Sequence, residues 1–335
     1  MTILVSKVNQ LGDNVVFLPV VQYLRQALPS ARIIVATSPA AAELYERCVP
    51  KVELIQQPTV EFNGAWKRPW KLAHFWRQWR AVRPGAVLLG DDQGNVAQLL
   101  AATCGARDSV GPLRPQQLAN RLLSHRVSLN AASLIAHQNW HLLRYLADRL
   151  AVEAPSSPPA PNLSGMIRGD APASGLVIHA GASRPYKRWP LERYVALANA
   201  LAVQHSVTWV DQGEGPVEAG LHPQVQRFQP STLSTFVTLL AKAQLFIGNN
   251  SGPMNIAAAL GLRSVIFNGP SPAIWDPAWH RDQFLLIQDP TLACQPCDPV
   301  THPVNECRNL KEPLACMNRW TVEVITQRCI EWMRP

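Results

Sequence analysis

A chain of 335 residues, 47% hydrophobic and 16% charged, can bury a sizeable core, which excludes wholesale disorder and predicts roughly two domains of about 150 residues each. The formal charge of +8 points to a negatively charged partner (a nucleotide diphosphate, an anionic lipid surface or nucleic acid) without choosing among them. No apolar run approaches the roughly 20 residues that span a bilayer, and Met1–Val5 run into strand-like sequence with no basic leader, so a cytoplasmic protein is expected.

Ile3–Val8 is a short apolar run that ends at Asn9-Gln10-Leu11-Gly12-Asp13, and an apolar helical pattern follows to about Leu28. Arg32–Ala36, Val52–Ile55 and Ala86–Leu89 read as further buried strands separated by helical stretches. Leu142, Leu143, Leu146 and Leu150 give an amphipathic helix that closes the first half. Pro155 to Gly175 is rich in proline, serine and glycine and reads as a linker. The alternation then restarts, with strands at Leu176–His179, Val207–Val210, Leu245–Gly248 and Arg263–Phe267 and helices at Leu191–Gln204, Leu233–Ala241 and Pro253–Leu260. A last helix sets Val322, Ile325, Cys329 and Trp332 on one face. Alternating strand and helix predicts an α/β protein of two parallel sheets, each covered on both faces.

Three strand-end turns carry candidate chemistry, because ligands of open parallel sheets bind beyond the carboxyl ends of the strands, where helix N-termini point. In the first, Gly12 permits a tight turn and Asp13 follows at the helix start; a helix cap and a catalytic base are equal readings of that carboxylate. In the second, His179 to Pro190, a small-residue turn containing Ser183 precedes Lys187 and Arg188, cations suited to phosphate oxygens. In the third, Asn250, Ser251, Gly252, Pro253, Met254 and Asn255 open a helix whose amides and dipole would favour an anion. Neither G-x-G-x-x-G after a strand nor G-x-x-x-x-G-K-[ST] is present, which argues against dinucleotide dehydrogenases and P-loop enzymes.

Seven cysteines in a cytoplasmic chain argue against a disulfide framework. Cys48, Cys104 and Cys329 lie in apolar helical sequence and read as core. Cys294, Cys297, Cys307 and Cys316 form C-x2-C-x9-C-x8-C, a donor set for one tetrahedral zinc or iron ion; four thiolates would leave no open position, so the role is structural. Trp66, Trp70, Trp76 and Trp79 interleave with Lys67, Arg68, Lys71, Arg77 and Arg80. That stretch suits either an anionic membrane or sugar-bearing acceptor, or a helix burying its tryptophans.

Leu11-Gly12-Asp13, Asp92-Gln93-Gly94-Asn95, Lys187-Arg188-Trp189-Pro190-Leu191-Glu192-Arg193 and Gly248-Asn249-Asn250-Ser251-Gly252-Pro253-Met254 occur in the order of the motifs of the bacterial ADP-heptose:lipopolysaccharide heptosyltransferases, glycosyltransferase family 9, which this chain resembles over nearly its whole length. The resemblance implies a GT-B fold of two facing Rossmann-like domains with a cleft between them. Residues 1–155 would be the acceptor-binding domain, 156–175 a linker, 176–320 the nucleotide-sugar-binding domain with the cysteine loop at 294–316, and 321–335 a C-terminal helix. It implies inverting transfer without a catalytic metal from an ADP-sugar, typically ADP-heptose, to a glycan, glycolipid or protein acceptor, with no nucleic acid involved. Asp13 matches the general base, with Gly12 and Gln93 on the acceptor side. Lys187 matches the phosphate-binding lysine, with Arg188 and Ser183 beside it, and Asn250 to Asn255 match the diphosphate loop. Glu218, with Glu214 competing, matches an acidic residue near the ribose.

Two positions depart from the family pattern: Asn250 stands for the usual Asp, and Asn255 for the usual His. Both remove an ionisable group beside the diphosphate and leave the donor sugar open. A sugar-nucleotide-binding protein without turnover is therefore a second expectation. A basic zinc protein that binds nucleic acid is a third, and it leaves the three strand-end turns unexplained.

Overall fold

The computed structural model describes residues 1–168, 175–211, 220–297, 307 and 309–334. The chain forms two compact units, Met1–Gly165 and Met166–Pro335. Unit 1 alternates β1 (Thr2–Lys7), α1 (Leu11–Ala27), β2 (Arg32–Thr37), α2 (Pro39–Cys48), β3 (Glu53–Gln56), α3 (Thr59–Asn63), α4 (Pro69–Ala81), β4 (Ala86–Leu89), α5 (Asn95–Thr103), β5 (Asp108–Pro112), β6 (His125–Val127) and α6 (Ile135–Arg149). Its six parallel strands lie in the order β3-β2-β1-β4-β5-β6. The middles of the central strands are apolar because helices cover both faces: Ile3, Leu4, Val5, Val87, Leu88 and Leu89 are fully buried.

Unit 2 follows the same plan with β7 (Leu176–His179), α7 (Leu191–Ala202), β8 (Val207–Val210), β9 (Val225–Phe228), α8 (Leu233–Ala241), β10 (Leu245–Asn249), α9 (Gly252–Leu260), β11 (Ser264–Phe267), β12 (Phe284–Ile287), α10 (Ala315–Asn318) and α11 (Val322–Met333). Its order, β12-β11-β10-β7-β8-β9, is that of unit 1 read from the other edge. In each sheet the first strand lies against the fourth, Ile3 facing Ala86 in unit 1 and Leu176 facing Leu245 in unit 2. At that pair the winding reverses, and two adjacent strand ends open a crevice.

The aromatic-basic stretch divides between the two readings offered for it. Trp79 and Phe75 enter the core, where Phe62 stacks on Trp79 at 6.2 Å and meets Phe75 edge-on at 5.3 Å. Trp66 and Trp70, 64% and 69% exposed, stay outside with Lys67 and Arg68. On α11, Ile325 and Cys329 are fully buried, with Val322 and Trp332 partly so, against a core that includes Leu197 and Leu201 of α7. Cys104 is likewise core, whereas Cys48 at the end of α2 is only half-buried, a correction to its reading as a core residue.

Candidate functional site

At the unit 1 switch point β1 ends on Lys7, whose side chain is wholly buried. Its Nζ lies 2.7 Å from Asp91 Oδ1 and 2.7 Å from Asp92 Oδ1, both in the turn after β4. Asn139 of α6 donates from Nδ2 to Asp91 Oδ1 at 2.8 Å and accepts the Asp91 amide at 3.0 Å, while Asn9 donates to Asp92. Gly90 leaves the room for this: a Cβ there would come within 2.7 Å of the Lys7 Cδ. Burial alone would push the lysine toward neutrality, but the Asp91, Asp92 and Asp13 carboxylates more than offset it and hold Lys7 charged.

Asp13 is the third residue of α1, whose N-cap is Gln10, so its carboxylate is not the cap itself. Gln10 contributes no side-chain cap bond. Burial pushes the Asp13 carboxyl up to about 7; the charge of Lys7 pulls it down, Asp92 and Asp91 push it up, and a backbone hydrogen bond at Gln10 pulls it down. Its side chain is nonetheless partly open to solvent, as an acceptor would require. Asn14 pins the start of the helix, donating to the Asn9 and Gln10 carbonyls and accepting from Thr37 Oγ1 at 3.0 Å and the Tyr45 hydroxyl at 2.8 Å. Gly12 is buried beside Asp13. Gln93 is 3% exposed and accepts from Ser6 Oγ at 3.0 Å, tying β1 to the turn after β4.

The unit 2 switch point joins the turn after β7 to the start of α9. Asn249, fully buried, links them: its Oδ1 accepts from the Trp189 amide at 3.1 Å and the Tyr194 hydroxyl at 3.0 Å, and its Nδ2 donates to the Ala180 carbonyl at 2.7 Å. Gly248 makes the approach possible, since a Cβ there would meet the Phe246 ring at 2.7 Å and the His179 carbonyl at 3.2 Å. Arg188 folds back on its own loop, donating from Nε and Nη2 to the Ala182 carbonyl at 2.8 and 2.6 Å. Lys187 is half-buried and Ser183 exposed. Ser251 is the N-cap of α9 with Pro253 in its first turn, and Met254 donates its amide to the Ser251 carbonyl at 3.1 Å. The Asn250 side chain turns toward Asn268 and the Trp275 carbonyl, and Asn255 is buried on the helix. Glu218 and Glu214 lie outside the described residues.

Burial pushes the Cys316 thiol up to about 12, and Cys297, Cys307 and Cys294 push in the same direction, so the four sulfurs lie within electrostatic reach of one another. Cys307 Sγ accepts the Leu314 amide at 3.2 Å, and Asn309 Nδ2 points at Cys294 Sγ at 3.9 Å. Amide donors of this kind suit thiolate ligands, and thiols are the donors a soft ion prefers. Among the described residues no group of three or more His, Cys, Asp or Glu has the geometry to hold a metal; part of the loop, 298–306 and 308, lies outside them.

Sequence reasoning missed Lys7, Asp91 and Asn139 in unit 1 and Asn249 in unit 2. The signal that could have found Lys7 is a cation closing an otherwise apolar central strand, which demands carboxylates opposite it.

Residues 144–305 match the family model for glycosyltransferase family 9 (heptosyltransferase). Lipooligosaccharide heptosyltransferase 2 of Campylobacter jejuni subsp. jejuni serotype O:2 is 25% identical over 150 residues, 41% of this chain and 46% of that protein. The match therefore spans a little under half the length of that curated relative. E. coli heptosyltransferase WaaC, solved with ADP-2-deoxy-2-fluoro heptose, is similar with a TM-score of 0.74 at 16% identity, covering 99% of each chain. The iron-containing dodecameric glycosyltransferase TibC from enterotoxigenic E. coli gives a TM-score of 0.61 at 16% identity, covering 100% of this chain and 78% of that one. At these identities the structural likenesses show the fold.

Proposed function

We propose that the chain belongs to glycosyltransferase family 9, whose model matches residues 144–305, and that it is an inverting, metal-independent glycosyltransferase that moves heptose or a related sugar from ADP-heptose to a hydroxyl acceptor. The observation that carries the reading is Asp13, a carboxylate at the unit 1 switch point held near neutrality. A general base works best when its pKa lies close to the working pH, and inversion needs one such base on the acceptor hydroxyl. The departing diphosphate needs cationic and amide support, for which Lys187 and the N-terminus of α9 at the unit 2 switch point are the candidates. That support supplies the charge a divalent ion would otherwise bring.

ADP as the nucleotide is supported by the ligand of the WaaC structure, and a glycolipid acceptor by the lipooligosaccharide relative; a glycan or protein acceptor is equally compatible with a base that needs only a hydroxyl. Trp66, Trp70, Lys67 and Arg68 form an exposed aromatic-basic patch suited to the anionic inner face of a membrane, and no helix among the described residues is long and apolar enough to cross one. We place the protein in the cytoplasm on that reading. Cys294, Cys297, Cys307 and Cys316 would hold one structural zinc or iron ion, a cross-link with no open position for chemistry; the iron named for TibC is the parallel.

The test pairs two variants with ADP-heptose as donor. Asp13→Asn should lose at least about 10²-fold in transfer while binding ADP normally. Lys187→Ala should weaken ADP binding by about 1.5–3 kcal/mol, the range for a hydrogen bond to a charged group. Near-normal transfer by Asp13→Asn would remove the base, and unchanged ADP affinity in Lys187→Ala would remove the phosphate contact. A chain that binds ADP-heptose tightly yet neither transfers nor hydrolyses it would be the binding protein that Asn250 and Asn255 leave open.

A further inference from the structure

Lys7, Asp91, Asp92 and Asp13 gather one cation and three carboxylates around a single buried point. Geometry fixes the arrangement from both sides. The Lys7 Nζ is held 2.7 Å from each of Asp91 and Asp92, and its stem fills the space that Gly90 leaves for want of a Cβ. The same Nζ lies 5.9 Å from the centre of the Phe17 ring. Phe17 is four residues after Asp13 on α1, so both side chains share the helix face turned to Lys7. Asp91 Oδ2 is buried with no hydrogen-bond partner, an acceptor left over in a cluster that already has excess negative charge.

We propose that Lys7 and the Asp91-Asp92 pair act as positioning residues for Asp13, a charge frame whose balance sets the pH at which Asp13 takes a proton. This rests on the reading of Asp13 as the base. One lysine cannot neutralise three carboxylates brought this close, so the cluster retains a proton, and we place it on Asp13. Among the described residues, the charged and titratable groups acting on Asp13 are Lys7 from β1, Asp91 and Asp92 from the turn after β4, and the Tyr45 hydroxyl from α2, while α6 brings the neutral Asn139 against Asp91. The Arg114 guanidinium, from the segment after β5, is engaged by the Asp91 carbonyl at 2.8 Å. Removing one neighbouring carboxylate must then lower the Asp13 midpoint, and removing the cation must raise it. A purely structural role for these residues predicts no such opposition of sign.

The experiment is a carboxyl-carbon NMR titration of the full chain labelled with ¹³C-aspartate, the Asp13 resonance being assigned by its loss in Asp13→Asn. Asp13 should titrate near neutrality, Asp92→Asn should move its midpoint down by about one unit, and Lys7→Met should move it up. An Asp13 midpoint in the ordinary carboxylate range, an unmoved midpoint in Asp92→Asn, or shifts of the same sign in both variants would overturn the proposal. Should Lys7→Met fail to melt cooperatively, Asp92→Asn decides alone, since Asp92 is partly exposed and its amide isostere keeps the oxygen that accepts from Lys7, giving up only the acceptor for Asn9. The titration needs no donor, which separates the two ideas. Normal transfer by Asp13→Asn would sink the base while leaving the frame, whereas an inactive Asp13→Asn with unmoved midpoints would sink the frame alone.

Discussion

Asp13 bears a thermodynamic burden that its neighbours impose. With its pKa raised from the ordinary 3.8 to about 7, the folded chain binds a proton over a range of pH in which the unfolded chain has already released it. Folding stability therefore falls as pH rises from about 4 through about 7, the reverse of the usual paired aspartate. Asp13→Asn removes that slope. Its melting temperature should equal or fall below the wild type near pH 4 and exceed it above pH 7, by roughly 1–4 kcal/mol in stability. Thermal melts of both proteins across pH 4–8 would show this, and parallel curves would mean that Asp13 ionises without penalty. The side chain is not the N-cap, so no capping loss offsets the gain.

Elements differ in how plainly the sequence announces them, and the difference has a physical source. β1, β4, β7 and β10 are central strands buried on both faces, and their apolar runs were legible for that reason. β5 went unread because Asp108 sits inside it, buried among Arg107, His125 and Arg149, and because it ends in Gly111-Pro112. β6 and β9 are edge strands with exposed polar residues, whereas β12, an apolar edge strand as long as β4, carried the same signal and was passed over. Asp13 stood out from its place after a strand, but that place left cap and base as equal readings, and only the family resemblance favoured the base. Lys7 was not, because a lysine at a strand end reads as a wet terminus until its partners are known. The cysteine loop carries its own expectation: the purified chain should contain about one equivalent of zinc or iron, lost with chelation together with a drop in melting temperature. Metal-free protein with a melt indifferent to chelator would leave four thiols in a loop. Cys48, Cys104 and Cys329, remote in sequence and set in other elements, should not affect metal content.

At the scale of the whole molecule, two units repeat one winding, and the proposed function divides its chemistry between their switch points. A nucleotide that binds one unit stabilises that unit by mass action, about 2.7 kcal/mol at a hundredfold excess over Kd. ADP should therefore slow amide exchange in the turn after β7, in β10 and in α9, and leave β1 and the start of α1 at their ligand-free rates. Protection concentrated in unit 1 would reassign the donor to the other switch point. Within unit 1, Lys7 and Asp91 stand 84 residues apart along the chain and meet only because β4 lies beside β1. β2 and β3 intervene in sequence yet lie on the far side of β1, so that encounter closes a long loop and comes at the entropic cost of a distant pairing. Before β4 docks, Asp13 is an ordinary acid at the head of a helix, ionised at neutral pH and wet. A nascent chain, or one whose central strand pair has opened, thus carries the residue without its raised proton affinity. The proton affinity of a single side chain becomes a readout of whether the middle of the sheet has formed.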